Sequence, residues 1–194
     1  MLDAAVKQAL GVRTIQWRPF IATATADREY RGVEFADERV RAAWQAFWPT
    51  TGRQPSWDAV GEADGEYVLV EAKANVLEFM SPPSTASPES LKLIVKRLNE
   101  TKTALGVHRF YPWHGTYYQY ANRLAVLRFL RENGIAAHLV GIYFVGDRFP
   151  DGTPCPASRE EWDELLEARR LTLGLPKTHT LSRYDHHVYL AALR

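Results

Sequence analysis

The sequence predicts an α/β fold in which a mixed central β-sheet is flanked by helices. Three observations support this: a hairpin pattern around Asp64, an almost continuous apolar strand directly after it, and further strands that alternate with amphipathic helical segments. Connections of the strand–helix–strand kind favour a sheet covered by helices. The chain has 194 residues, which suits one domain over residues 1–194, and a core of that size needs no disulfide.

The first quarter of the chain predicts two helices separated by an irregular segment. Residues 2–10 form a short helix that ends at Gly11. Residues 12–32 show no clear period and are predicted to be a loop or arm. Residues 34–48 carry apolar side chains at helical spacing, and Pro49 ends this second helix.

A β-hairpin is predicted next. Residues 56–62 form a short strand, and the Asp64-Gly65 pair that follows is typical of a tight hairpin turn. Residues 67–74, YVLVEAKA, are apolar except for Glu71 and Lys73. A run of this kind indicates a strand buried on both faces in the middle of a sheet.

The second half of the chain alternates loops, helices and strands. Ser and Pro residues predict a loop over 79–88, and Pro88 opens the helix that follows. The remaining predicted elements are a helix from Pro88 to Gly106, a helix over 117–132, a strand over 137–145, a helix over 159–173 and a strand over 186–193.

Glu71 and Lys73 are the most informative residues of the predicted central strand. They are two positions apart, so their side chains leave the same face. A buried ion costs several kcal/mol, as a rough estimate, unless it is paired or bound to a metal. An ion pair on a solvent-facing edge strand would be an alternative, but Tyr67 and Leu69 share that face and are apolar. The charges are therefore predicted to serve a site.

Asp58 lies across the hairpin from the strand that carries Glu71. A hard cation such as Mg²⁺, or Mn²⁺ in its place, prefers oxygen ligands and keeps several waters. The carboxylates of Asp58 and Glu71, together with the backbone carbonyl of Ala72, would supply such ligands. Lys73 would then orient or deprotonate an attacking water, or stabilise negative charge on a phosphate.

The hairpin with Asp58, Glu71 and Lys73 resembles the PD-(D/E)XK nuclease superfamily, and within it a bacterial family. The matching stretches are WDAVG, VLVEAKA and YYQYANRLAVLRFLRE. The resemblance implies a restriction-endonuclease-like core, metal binding by the Asp and the Glu, and assistance to the chemistry by the Lys. One departure is that Pro55 stands three residues before Asp58 rather than beside it.

The resemblance also implies two supporting sets of residues. A glutamate on the helix before the hairpin would complete the metal shell; Glu38 is preferred because it lies inside the predicted helix, and Glu34 is the other candidate. Gln119 and Arg123, four apart on the helix over 117–132, would lie beside the metal and contact substrate. The alternatives are a solvated glutamate on one helix and the polar side of an amphipathic helix on the other.

Composition restricts how the protein meets its partners. The formal net charge is +1, which is not typical of a strong independent DNA binder, so a homodimer or a partner protein would supply binding surface. One cysteine, Cys155, excludes an intrachain disulfide and favours the reducing cytoplasm. The N-terminal stretch is too short and too charged for a signal peptide, and no membrane span is expected.

These observations together predict a Mg²⁺-dependent phosphodiesterase that acts on DNA, with RNA as the alternative substrate. Two alternatives stay open. One is a catalytically silent member of the fold that binds nucleic acid or a protein partner. The other is an enzyme with the same metal site that acts on a nucleotide or on a modified base in DNA.

Overall fold

The computed structural model describes residues 2–108 and 110–192. The helices are α1 (Leu2–Leu10), α2 (Glu38–Phe47), α3 (Val76–Met80), α4 (Pro88–Ala104), α5 (Tyr118–Glu132), α6 (Arg159–Thr172) and a 3₁₀ turn (Ser182–Tyr184). The strands are β1 (Gln16–Trp17), β2 (Tyr30–Arg31), β3 (Ser56–Trp57), β4 (Ala59–Ala63), β5 (Glu66–Lys73), β6 (Ala137–Val145) and β7 (Asp185–Ala191). Within this described part, no helix is both long enough and apolar enough to cross a membrane.

The central sheet has five strands in the order β1-β4-β5-β6-β7. The pairs β1–β4 and β4–β5 are antiparallel, whereas β5–β6 and β6–β7 are parallel. The parallel pairs need long crossovers, which α4 with α5 and then α6 supply. The predicted α/β class with a mixed sheet and flanking helices is confirmed.

The hairpin between β4 and β5 has the geometry that its sequence predicts. Asp64 and Gly65 have φ values of 51° and 80°. A type I′ turn needs a positive φ at both central residues, and its twist matches that of the two strands it joins. Ala63 pairs with Glu66 on either side of this turn. The turn therefore fixes the register of β5 against β4.

The two faces of β5 belong to two different apolar clusters. Leu69 and Tyr67 pack into the larger cluster, which contains the buried faces of α2, α4, α5 and α6. Val68 and Val70 pack into the smaller cluster beneath α1, with Val6. Because side chains alternate along a strand, Glu71 and Lys73 lie on the face with Leu69, where α5 covers the sheet.

The start of α2 differs from the sequence prediction. The helix begins at Glu38 rather than at residue 34, because the side chain of Asp37 caps it by accepting a 2.9 Å hydrogen bond from the N–H of Val40. Glu34 lies in the turn before the helix. Its carboxylate accepts two hydrogen bonds from Arg28, so it forms a local ion pair.

Two short strands lie where the sequence predicted a loop or arm, and a short helix, α3, overlaps the predicted loop over 79–88 only at its last two residues. The segment over 12–32 contains β1 and β2, which pair with β4 and β3. The segment after β5 forms α3, which Asn75 caps by accepting a hydrogen bond from the N–H of Glu78. The last strand runs from Asp185 to Ala191, and its predicted end at residue 193 lies outside the described residues.

The buried face of β5 is expected to control stability. Leu69 is fully buried, so Leu69→Ala is expected to lower the free energy of unfolding by about 2–5 kcal/mol, because it removes apolar contacts and leaves a cavity. Urea unfolding followed by tryptophan fluorescence would measure this. Leu77 is 64% exposed, and the matched control Leu77→Ala should change stability by no more than about 0.5 kcal/mol. An equal loss of stability in Leu69→Ala and Leu77→Ala would contradict the conclusion that Leu69 lies on a buried face of β5.

Candidate active site

Asp58 occupies a bend between β3 and β4. Its N–H donates to the carbonyl of Val70 at 3.1 Å, and its Oδ2 accepts from the N–H of Ala72 at 2.6 Å. The regular ladder resumes at the next pair, Ala59 with Val70. The carboxylate of Asp58 thus takes the place of a backbone carbonyl as the acceptor for the N–H of Ala72. The predicted strand over 56–62 is interrupted at Asp58, and this break places the carboxylate beside β5.

Glu71 lies between two cations. Its Oε2 accepts hydrogen bonds from Nε and Nη2 of Arg123 at 2.9 and 2.6 Å. Its Oε1 accepts from Nζ of Lys73 at 2.5 Å. The same Nζ donates to Oε1 of Gln119 at 2.8 Å. The two sequence-predicted residues of α5 therefore both reach the charged pair on β5.

Arg123 is buried rather than presented to solvent. Its side chain is 3% exposed, and its guanidinium also donates to the carbonyl of Ser56 and to Oδ1 of Asn122. The ring of Trp57 lies beneath it, with 4.8 Å from the guanidinium carbon to the ring centre. Arg123 therefore joins α5 to β3 and β5, and its donors are directed at groups of the protein.

The two carboxylates have opposite electrostatic environments. Burial and the nearby negative charge of Glu71 raise the pKa of Asp58 above its ordinary value. Burial alone would also raise the pKa of Glu71, but the positive charges of Arg123 and Lys73 outweigh it and hold that pKa below its ordinary value. At neutral pH the site thus holds a firmly ionised Glu71 beside a carboxylate that burial and repulsion make costly to ionise.

The carboxylate oxygens of Asp58 and Glu71 are the kind of ligand that a divalent cation takes. Mg²⁺ is commonly held by one or two protein carboxylates, with waters and substrate oxygens in the other positions. Glu38 is exposed in the first turn of α2. The described part of the chain holds no group of three or more His, Cys, Asp or Glu side chains arranged to bind a metal, so Glu38 does not complete a set with this pair.

Glu29 is an acidic neighbour of the site that the sequence did not reveal. The antiparallel pairs Tyr30 with Trp57 and Arg31 with Ser56 place Glu29 opposite Asp58 at the end of the ladder. Its negative charge contributes to the raised pKa of Asp58. The predictive signal is weak, because strands of two residues have no periodicity to recognise.

A second set of polar groups, of which Tyr143 and Arg169 are buried and Tyr120 and Asp185 half-buried, adjoins the site and was also missed. The hydroxyl of Tyr120 donates to Oδ2 of Asp185 at 2.5 Å. The guanidinium of Arg169 stacks on Tyr120, 3.4 Å from its ring centre, and contacts the hydroxyl of Tyr143 at 3.5 Å. These side chains, with Glu71, line a cavity of about 20 Å³, enough for one water. The register of Tyr143 opposite Lys73 is set only by tertiary structure.

Comparisons of the chain with models of protein families, with curated proteins and with solved structures gave no match. The interpretation of the site therefore rests on its own geometry.

The first prediction from this geometry concerns the buried charge pair. Arg123→Met is expected to lower the free energy of unfolding by about 3–5 kcal/mol, because it leaves Lys73 as the one remaining partner described for the buried negative charge of Glu71. Denaturant unfolding would measure it, and the double variant Glu71→Gln/Arg123→Met should recover part of the loss. Arg41 is exposed on α2, and Arg41→Met is the matched control. A loss in Arg123→Met as small as in this control would contradict a neutralising role for Arg123.

The second prediction concerns Asp58. Because the pKa of Asp58 is raised in the folded protein, its ionisation is less favourable there than in the unfolded chain. The folded protein therefore loses stability as pH rises from 3.8, the ordinary pKa of an aspartate, through the raised pKa of Asp58. Asp58→Asn keeps an acceptor for the N–H of Ala72 and removes this cost. Its melting temperature in EDTA is expected to exceed that of the wild type at pH 7, and the difference should shrink towards acid pH.

Asp27→Asn, at an exposed position, controls for the loss of one negative charge. Asp58→Asn melting at or below the wild-type temperature at pH 7 would contradict the electrostatic argument.

Proposed function

We propose that this protein is a Mg²⁺-dependent phosphodiesterase that hydrolyses DNA, with RNA as the alternative substrate, on a restriction-endonuclease-like core. The supporting observation is the convergence of Asp58, Glu71 and Lys73 where β5 meets α5. Carboxylates and an ammonium on a covered sheet face are costly to bury. A site for metal-assisted phosphoryl chemistry would need these charged groups at this position.

The proposed metal ligands are Asp58, Glu71 and the carbonyl of Ala72. A divalent ion would relieve the repulsion between the two carboxylates, which is expressed in the raised pKa of Asp58. When bound, it would supply polarisation of a phosphodiester and a bound water of lowered pKa. Mn²⁺ has the same preference for oxygen ligands and would replace Mg²⁺.

Lys73 is proposed to act at the reacting phosphate. Its ammonium is held by Oε1 of Glu71 at 2.5 Å and Oε1 of Gln119 at 2.8 Å, so its position is fixed before substrate arrives. From there it would orient the attacking water and stabilise charge on the phosphoryl oxygens. Gln119 is proposed as a positioning residue for Lys73, and Arg123 as a positioning residue for Glu71.

Binding of an extended nucleic acid along many phosphates is proposed to need additional surface. The net charge of +1 gives little long-range attraction for a polyanion. A second copy of the chain or a partner protein would supply the missing cations. The single cysteine supports a cytoplasmic location.

One observation favours the rival function of a catalytically silent binding module. Both carboxylate oxygens of Glu71 accept hydrogen bonds from Lys73 and Arg123. These cations neutralise Glu71 without a metal, so a metal would have to displace or share one of them. A module that lost catalysis could keep this arrangement for stability alone.

A cleavage assay would test the proposed function. The purified chain would be incubated with Mg²⁺ or Mn²⁺ and with supercoiled, linear and single-stranded DNA and RNA. Glu71→Gln and Lys73→Met are expected to lower the rate by about 100-fold or more, because the first removes a proposed metal ligand and the second removes the ammonium proposed to act in the transition state. Glu164→Gln and Lys96→Met, at exposed positions, are matched controls that should cleave like the wild type.

The outcomes separate the candidates. Cleavage that needs metal and is lost only in the two site variants would support the nuclease. Absence of cleavage on every substrate, with no rise in melting temperature on adding Mg²⁺ or Mn²⁺, would favour the silent module. Inhibition by free nucleotides at low concentration would indicate a nucleotide substrate.

A further inference from the structure

A cleft opens directly beside Lys73. Its volume is about 600 Å³, within the range of ligand-binding pockets of roughly 300–1,000 Å³. Its walls are the loop from Pro49 to Ser56, helix α3, the loop over 81–87 and the first turn of α4. Lys73, Gln119 and Arg123 also line it, so the cleft and the candidate active site are continuous.

The walls combine neutral hydrogen-bonding groups with flat apolar surface. The hydroxyl residues are Thr51, Ser56, Ser81, Ser84, Thr85, Ser87, Ser90 and Tyr118, and the apolar ones include Pro49, Pro55, Pro82, Pro83 and Leu77. Leu77 is 64% exposed and adds apolar surface at this edge. Such walls suit a ligand with flat apolar faces and a polar edge, which describes a nucleobase.

The charge of the cleft argues against an extended duplex. Among the described residues that line it, the cations are Arg53, Lys73 and Arg123, and the anion is Glu78. Lys73 and Arg123 already bind Glu71. A protein that tracks duplex DNA typically neutralises about 6–10 phosphates. Arg53 is exposed at the edge of the cleft, which suits contact with a single phosphate.

We propose that this cleft receives one unpaired nucleotide next to the scissile phosphate, so that single-stranded nucleic acid is the substrate. The proposal rests on the proposed phosphodiesterase function, because it places the reacting phosphate at Lys73. A base in a duplex is stacked and paired, and it could enter only after extrusion, which costs a few kcal/mol. A base in a single strand enters without that cost.

Binding measured without catalysis tests the cleft separately from the chemistry. Fluorescein-labelled 12-nucleotide single strands of DNA and of RNA, and a blunt DNA hairpin duplex, would be titrated with the full chain in EDTA and followed by anisotropy. The single strands are expected to bind about tenfold tighter than the duplex, the effect of one well-held base. The affinities of the DNA strand and the RNA strand, compared with each other, show whether the cleft prefers deoxyribose or ribose.

Two variants link this binding to the cleft. Thr85→Trp, at an exposed lining position, would place a bulky side chain in part of the cleft and, by excluding the base, should weaken single-strand binding by about tenfold or more. Thr103→Trp makes the same replacement on an exposed part of α4 outside the cleft and should leave binding unchanged. Arg53→Ala, with Arg41→Ala as its control, gives a second test that inserts no bulky side chain.

The results distinguish the inference from the proposed function. Single-strand binding that both cleft variants weaken supports the cleft even if Mg²⁺ or Mn²⁺ produces no cleavage, and only the phosphodiesterase proposal then fails. Duplex binding or cleavage that equals the single-strand value, unchanged by Thr85→Trp and Arg53→Ala, overturns the inference and leaves the nuclease standing. Failure to bind any of the three probes overturns the inference as well.

Discussion

Glu71 carries a negative charge into the covered face of the central strand, and the arrangement around it follows from the need to compensate that charge. Lys73 supplies one cation from the same strand and Arg123 supplies the other from α5. Because burying an ion without a partner costs several kcal/mol, as a rough estimate, the pairing holds α5 to the sheet at one position. Gln119 then reaches Lys73 because it lies one helical turn before Arg123.

Asp58 is placed by the backbone rather than by a cation. The bend that separates β3 from β4 lets its carboxylate accept the N–H of Ala72, and this commits Asp58 to the neighbourhood of Glu71. One carboxylate is thus stabilised by positive charge while the other is penalised by burial and repulsion. Two acids whose pKa values are pushed apart are a frequent property of catalytic sites.

The cleft and the charged pair complement each other. The charged residues lie at the junction of β5 and α5, whereas the cleft walls come from loops and from the short helix α3. Rigid elements therefore hold the groups proposed for chemistry, and irregular segments form the surface proposed for recognition. This division is common in proteins, because loops can vary in shape without disturbing the core.

Elements that depend on near neighbours were predictable from the sequence. The Asp64-Gly65 turn, the end of α1 at Gly11 and the full extent of β6 follow from local propensity and periodicity. The strands β1 and β2 were not predictable, since two residues have no period and gain their order from β4 and β3. Helix α3 was not predicted, and it overlaps the predicted loop over 79–88 only at Phe79 and Met80.

The sequence by itself determined that a carboxylate and an ammonium share one face of a buried strand, because alternation along a strand is fixed by backbone geometry. It also indicated that α5 carries polar side chains able to meet them. Only the tertiary structure decided that Arg123 neutralises Glu71, and that Glu29 rather than Glu38 influences Asp58. These residues are far apart in the chain, and the packing that brings them together depends on the whole sheet and its helices.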